Sequence, residues 1–182
     1  RRAPRAPRRL MSIILLLHAV AGGVGLAWSR RLGRRVFLIG GVCVAVTLVW
    51  FLTQIGAVLD GDPLDEHVDW MPAFGVDLDW RLDGFSALMV LLVAGIGAAV
   101  FTYANAYFER SDARVGRVAA LLILFSGSML GLVLADNVIV LYGCWELTSV
   151  LSFLMIGYRD EDARAAAAAL QALFVTSAGA LV

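Results

Sequence analysis

The strongest constraint on this chain is its succession of apolar blocks, each close to ~20 residues long and nearly free of charge. A bilayer span needs about that many, because a helix rising 1.5 Å per residue must cross ~30 Å of hydrocarbon. A helix of a water-soluble domain must show one polar face to solvent and would alternate accordingly. These blocks do not. Composition agrees, with 60% hydrophobic residues and a mean hydropathy of +0.81. Hydropathy divides the chain into six candidate spans, roughly residues 11–28, 35–59, 83–107, 118–135, 138–158 and 165–182, the last cut short. The expected fold is an all-α integral membrane protein, a bundle of about six transmembrane helices with a short external β-hairpin-like loop.

Residues 11–59 then hold the first two spans, residues 60–82 an acidic external loop, and residues 83–182 the remaining four. Met11-Ser12 and the apolar block behind it read as a natural start. Residues 1–10 are then an Arg-rich extension outside the native mature sequence. N-terminal sequencing that found residues 1–10 on the native protein would overturn this. An Arg-rich start and apolar core also suit a signal peptide, but no Ala-x-Ala cleavage site follows. With further spans downstream, the first helix reads as retained.

Every basic residue is an arginine; there is no lysine. Arg30, Arg31, Arg34 and Arg35 follow the first span, Arg110, Arg114 and Arg117 the third, and Arg159 and Arg164 the fifth. The loop after the second span holds only Arg81, and the turn after the fourth holds none. Positive-inside logic puts the odd-to-even loops in the cytoplasm and the mature N-terminus outside. Trp28, Tyr107 and Tyr158 fall at the cytoplasmic helix ends, as interfacial anchors should. A net charge of zero gives no reason to expect a nucleic-acid partner.

The external segment carries Asp60, Asp62, Asp65, Glu66, Asp69, Asp77 and Asp79. Val76, Leu78, Trp80 and Leu82 alternate with Asp77, Asp79 and Arg81, a period of two that predicts a strand or hairpin entered through Pro72 and Gly75. Its acidity reads as the solvated face of a packed hairpin rather than as a cation concentrator. Gly127 and Gly131 have the spacing that lets helix backbones approach closely in lipid.

Glu146 is the chemical outlier. It lies about eight residues into the fifth span, near mid-membrane, where a charge costs ~2.5–3.5 kcal/mol on insertion scales. Tyr142, Gly143 and Ser149, at i−4, i−3 and i+3, share its helical face and make a small polar stripe. A buried carboxylate beside a movable charge is the design of a proton relay. Asp136 and Asn137 occupy the turn before this span, where Asp136 is expected to cap the helix. Asp83 similarly begins the third span. Gln171 and Thr176 make the sixth span mildly polar and suit either a hydrated path or interhelical hydrogen bonds. His18 reads as structural, and Cys43 and Cys144 as small buried hydrophobes. No Ser–His–Asp set, glycine-rich phosphate loop or spaced His/Cys set is present, so no cofactor is expected and a metal ligand set is not identified.

The stretch LADNVIVLYGCWELTSVLSFLMIGY at residues 134–158 closely resembles the A subunit of the multisubunit sodium/proton antiporters, the Mrp or Mnh type. RLDGFSALMVLLVAGIGAAVFTYANAYF at 81–108 is similar to that family's third span, and GSMLGLVLADN at 127–137 to its fourth. The most specific element is Trp-Glu-Leu-Thr-Ser at 145–149. The large antiporter-like subunits of respiratory complex I are similar in turn. The resemblance implies a secondary transporter subunit, not an enzyme, in a bacterial cell membrane. Its partners would be the other antiporter subunits, the lipid bilayer, protons and Na+ or another monovalent cation. It also implies that Glu146 pairs with a lysine on a later helix, which this chain does not contain. The alternative it leaves is a redox-driven proton-pumping subunit of a complex I or membrane-hydrogenase type.

Overall fold

The computed structural model describes residues 9–71, 73, 76–108, 114–158 and 163–180. Among the described residues, seven helices and two strands follow in the order α1 (Leu10–Ala27), α2 (Ser29–Leu32), α3 (Arg35–Leu59), β1 (Leu64–Met71), β2 (Val76–Leu82), α4 (Gly84–Tyr107), α5 (Val115–Leu134), α6 (Val138–Ile156) and α7 (Ala163–Ala180). Five of them, α1, α3, α4, α5 and α6, are long and apolar enough to cross a membrane. Within α7 the apolar stretch is shorter, Ala166–Gly179. The six expected spans are therefore present as five helices apolar over a full span and one whose apolar stretch is shorter. Hydropathy missed the single turn of α2, which is too short and too charged to register in a span-sized window.

The long helices alternate in direction, so one end of the bundle gathers the β-strands and the other the arginines of α2, α3 and α5. At the hairpin end, β1 and β2 pair antiparallel from Leu64 opposite Leu82 to Asp69 opposite Asp77, with an irregularity before Met71 opposite Val76. Pro72 and Gly75, the expected entry to the second strand, lie outside the described residues. Because side chains alternate along a strand, Leu64, Glu66 and Val68 share one face with Leu78, Trp80 and Leu82. Asp65, His67 and Asp69 share the other with Asp77, Asp79 and Arg81. Glu66 is the charged residue on the apolar side. It hides the period of β1 in the sequence.

α5 is the hub, packed against α1, α2, α3, α4 and α6. Its small residues permit this. A Cβ on Gly127 would stand 2.6 Å from the His18 Cβ, and one on Gly131 would stand 2.9 Å from the Cys144 Sγ and 3.8 Å from a Leu15 methyl. Gly116 lies against the Ser29 and Gly33 carbonyls, and Gly40 of α3 against the Phe101 ring of α4. Without a hydrophobic driving force between helices in lipid, such close approach is what dispersion and packing need. The hydroxyls of Ser126 and Ser128 turn back to the Leu122 and Leu124 carbonyls, at 3.0 and 2.9 Å, and so do not compete with the seam.

The apolar interior divides into two clusters along the bundle. One, at the hairpin end, joins Met11, Ile14, Phe51, Leu82, Leu130 and Leu134; the other, at the arginine end, joins Val36, Phe37, Phe101, Val115 and Ile123. Cys43 and Cys144 are free thiols, in keeping with their reading as small apolar residues.

The seam predicts its own test. Gly127→Val places a branched side chain against a backbone-near atom of His18 and should destabilise the bundle by ~1–3 kcal/mol, read as a lower thermal midpoint in detergent. Gly23→Ala, where nothing lies within 4 Å of the added Cβ, should leave the midpoint unchanged. Equal midpoints for Gly127→Val and wild type would remove the seam from the account of stability.

Candidate functional site

Glu146 is the ninth residue of the 19-residue helix α6. At 1.5 Å per residue this puts it ~12 Å from the hairpin end of that helix, in the middle of a bilayer-sized span. The side chain is half-buried. Its Oε2 accepts a hydrogen bond from the Ser177 hydroxyl of α7 at 3.4 Å, and its Oε1 is buried with no hydrogen-bond partner among the described residues. An unsatisfied buried polar atom costs ~1–3 kcal/mol, more if charged. Such an atom marks a place where water, a proton or a counter-charge lowers the free energy.

The expected polar stripe is present in part. Tyr142 is partly exposed and its phenol interacts with the Glu146 carboxylate. Ser149 is buried, but its hydroxyl donates to the Trp145 carbonyl at 3.3 Å and not to Glu146. Nothing lies within 4 Å of a Cβ built on Gly143, so that side of the stripe is open. Gln171 is exposed, and Thr176 is exposed with its hydroxyl on the Ala172 carbonyl; neither bonds Glu146. Ser177 is the α7 residue that does. Sequence reading passed over it because a serine in a small-residue helix carries no signal until the crossing of α6 and α7 is known.

Above the span, α6 starts at Asn137, whose Oδ1 accepts from the Ile139 backbone N–H at 2.8 Å. The cap expected of Asp136 is therefore made by its neighbour. Asp136 instead has two other contacts: its N–H donates to the Asp79 carbonyl at 2.9 Å, and its carboxylate stands 3.9 Å from the Arg81 guanidinium. The extended backbone that bridges Trp80 and Ala135 explains the shift, since Asp136 is held by β2 before the helix begins. Asp83 behaves as expected. It is the N-cap of α4 in a reciprocal capping box with Ser86. The Ser86 backbone N–H, with smaller contributions from the Ser86 hydroxyl and Phe85 N–H, holds the Asp83 carboxyl below the usual carboxylate range. Arg81 also reaches Asp65 at 3.4 Å and Asp83 at 3.9 Å, so one guanidinium gathers acids from β1, α4 and the α5–α6 turn.

Two features escaped the sequence. Glu66, only 4% exposed, receives the Met11 and Ser12 backbone N–H groups at 2.8 and 3.0 Å. It thereby caps the first turn of α1, whose own N-cap residue Arg9 offers no side-chain bond. Trp80 adds an indole N–H to the Ser12 hydroxyl at 3.1 Å. On the opposite hairpin face His67, Asp69 and Asp77 bring ligand-type atoms within 4.8 Å of one another, all partly or fully exposed. No spacing in the sequence shows this group, because strand pairing assembles it. His67 bonds Asp79 through Nδ1 at 2.6 Å and Asp69 through Nε2 at 3.2 Å. These carboxylates, Asp79 foremost, raise the His67 pKa above its ordinary value. His18 lies far from all of this, fully buried on α1 with Nδ1 against the Ile14 carbonyl at 3.0 Å.

The chain is similar in sequence and fold to several known membrane proteins. A family described as NADH-Ubiquinone oxidoreductase (complex I), chain 5 N-terminus, matches residues 70–117. The Na(+)/H(+) antiporter subunit A1 of Staphylococcus aureus (strain JH9) is 40% identical over 136 residues, 75% of this chain and 17% of that protein. A Staphylococcus haemolyticus (strain JCSC1435) protein provisionally named antiporter subunit mnhA2 is 42% identical over 132 residues, 72% of this chain and 16% of that protein. Among solved structures, the Mrp complex from Dietzia sp. DQ12-45-1b superposes with a TM-score of 0.80 at 30% identity, covering 94% of this chain and 18% of that one. The membrane-bound sulfane sulfur reductase, an archaeal respiratory membrane complex, shares the fold, with a TM-score of 0.69 at 15% identity over 95% of this chain. The chain thus spans about a sixth of the length of the curated relatives it matches.

The pKa of His67 gives the hairpin a pH dependence with a definite sign. A raised folded-state pKa stabilises the hairpin fully below the unfolded value of ~6.5 and ceases to do so as pH rises through the folded value. Amide exchange in residues 64–71 and 76–82 should therefore accelerate, beyond its intrinsic pH trend, as pH climbs past that point. His67→Asn should flatten the response. An identical pH response in the variant would assign it to another group.

Proposed function

With the chain belonging to the family of multisubunit Na+/H+ antiporter A subunits, which are complex I-like membrane proteins, we propose that it is the N-terminal part of such a subunit. In this reading it contributes Glu146 to proton transfer in a secondary transporter that exchanges protons for Na+ or another monovalent cation. The carrying observation is the carboxylate itself: mid-span, with Oε2 on Ser177 of the next helix and Oε1 buried and unbonded. One oxygen is positioned and the other is free to take a proton. Desolvation favours the neutral form, and a nearby cation favours the charged form, so a movable positive charge would switch the proton on and off.

The mechanism follows from those two states. While a positive group stands close, Glu146 is a carboxylate and its proton has left. As that group moves away, the cost of a bare charge in hydrocarbon drives Glu146 to take up a proton from water on one side. Tyr142, at one edge of the carboxylate, and Ser177 would hand or orient that proton. Ser149, Asp136, Gln171 and Thr176 would act as supporting or pathway groups where further helices of the subunit meet α6 and α7. The chain contains no lysine, so the pairing ammonium comes from another part of the subunit. In this reading the arginine end lies in the cytoplasm and the hairpin and N-terminus outside, which the charge asymmetry of the loops supports. The membrane is then a bacterial plasma membrane, which the family resemblance implies. The other subunits of the complex are the partners.

A redox-driven pump is the second reading, favoured by the family match over residues 70–117. It would use the same carboxylate and draw its energy from electron transfer. Na+-dependent dequenching of a pH dye in vesicles without any electron donor separates the two.

In the assembled complex, Glu146→Gln should reduce cation-dependent proton flux to background while subunit assembly on native gels stays intact. Glu146→Asp should retain a fraction. Wild-type exchange by Glu146→Gln would remove this carboxylate from the mechanism. The 182-residue chain by itself should show no exchange.

A further inference from the structure

We propose that the cleft where α1 breaks into α2 binds the headgroup and upper glycerol region of an anionic phospholipid. The cleft is open on one side, offers about 470 Å³ and is lined by six consecutive residues, Leu26, Ala27, Trp28, Ser29, Arg30 and Arg31. Its composition is divided. Leu26, Ala27 and the Trp28 ring supply an apolar floor at the end of a membrane-length helix, and Arg30 and Arg31 supply a cationic rim one helical turn further on.

The break is built by the backbone. α1 ends at Trp28, and the Ser29 hydroxyl closes it by donating to the Leu26 carbonyl at 2.9 Å. Gly33, at φ +52°, turns the chain from α2 into α3, a conformation that favours glycine. Gly116 of α5 packs against the Ser29 and Gly33 carbonyls and anchors the α2 turn against the bundle. The hydroxyl is spent within the turn, so the polar groups left for a ligand are guanidinium groups.

Those groups have no partner of their own. Arg30, Arg31 and Arg35 are exposed and Arg34 is half-exposed, and no ion pair among the described residues engages any of the four. Arg117, also exposed, adds a fifth from the first turn of α5, the helix on which the α2 turn rests. No Asp or Glu occurs before Asp60 in the chain. Later in the sequence, Glu109, Asp112, Asp160, Glu161 and Asp162 lie outside the described residues.

The shape selects among anions. A guanidinium fork binds a phosphate bidentately, which suits both free phosphate and a phosphodiester. Free phosphate would leave the Leu26–Trp28 floor uncovered. A phospholipid covers both, with its phosphate on Arg30 and Arg31 and its glycerol and first methylenes on Trp28, which is 48% exposed at the level where tryptophan sits in membranes. Basic clusters beside a span attract anionic lipid at ~1 kcal/mol per residue near the surface. Positive-inside topology asks only for arginines in the loop. It does not ask for an apolar cleft beneath them.

The test reads lipid binding rather than transport, so it stands or falls apart from the role of Glu146. The complete complex is purified in mild detergent and titrated with phosphatidylglycerol or phosphatidylcholine under native mass spectrometry. For Arg30→Gln/Arg31→Gln, phosphatidylglycerol retention should fall roughly tenfold, the loss expected for a charge-assisted hydrogen bond, with phosphatidylcholine unaffected. Arg30→Lys/Arg31→Lys should recover part of it. Unchanged phosphatidylglycerol retention in the glutamine variant would overturn the proposal, as would displacement of the bound lipid by millimolar inorganic phosphate. Should the glutamine variant fail to assemble, a photo-crosslinking residue at Trp28, with all arginines intact, decides. A phosphatidylglycerol adduct supports the site, and capture of another subunit in its place refutes it.

Discussion

The close approach of α1 and α6 to the glycine face of α5 is the contact on which the rest of the arrangement rests. Gly127 and Gly131 remove the side chains that would hold the three helices apart, and His18, Leu15 and Cys144 fill the space. A β-carbon at position 127 would push against α1, and one at position 131 against Cys144 of α6. Glu146 lies two residues beyond Cys144 on the same helix, so the glycine seam sets how deep and how near to α7 the carboxylate stands. In lipid this closeness is itself the source of stability, because hydrocarbon outside the bundle is as apolar as the helices within it. The serines beside the seam keep their hydroxyls on their own backbone and leave it dry.

The hairpin fixes the same helices from outside. Its inner face lays Glu66 on the first turn of α1 and Trp80 beside Ser12, while the Asp79 carbonyl and the Trp80 backbone hold the start of the α5–α6 turn. Leu82 and Trp80 also join the apolar cluster with Leu130 and Leu134. Five helix ends are thereby tied to one two-stranded ribbon, which alone would be marginal in water. The outer face is the weaker part. Asp69 stands directly opposite Asp77, a repulsive cross-strand pair, and His67 offsets it only while protonated.

Most of this architecture was legible because the membrane imposes a simple rule, that each span be apolar for its whole length. Spans, their number and the hairpin strand β2 follow from periodicity and hydropathy. What was not legible depends on contacts between elements distant in sequence. Glu66 counted as one acid among seven until β1 paired with β2 and put it on the α1 side. Asp136 has the residue type of a cap, but β2 takes its N–H and leaves Asn137 to cap α6. Glu146 stood out from the sequence alone, since a carboxylate amid some twenty apolar residues has an energetic cost visible without coordinates. Ser177, its hydrogen-bond partner, did not, because serine costs little in a helix and shows its role only through the crossing of α6 with α7.

The slight burial of α6 is the observation that supports the proposed place of the carboxylate in a larger assembly. Only 17% of the α6 span is buried, against 50% of α5, although α6 holds the one acidic residue within any of the five spans. A helix placed to face lipid alone would have no use for that residue, and a helix whose work was complete within this chain would bury it. Instead Glu146 lies on the α7 side with one oxygen bonded and one not, and the stripe around it ends at the open flank of Gly143 and the partly exposed Tyr142. The matched stretch is only 16–17% of the curated relatives, and in the proposed mechanism helices from the rest of such a subunit close that flank. In that mechanism the unbonded oxygen is the point where the bundle would meet its counter-charge. A carboxylate fully satisfied by its own bundle would have no hydrogen-bonding capacity left for a partner, and this one keeps an oxygen for it.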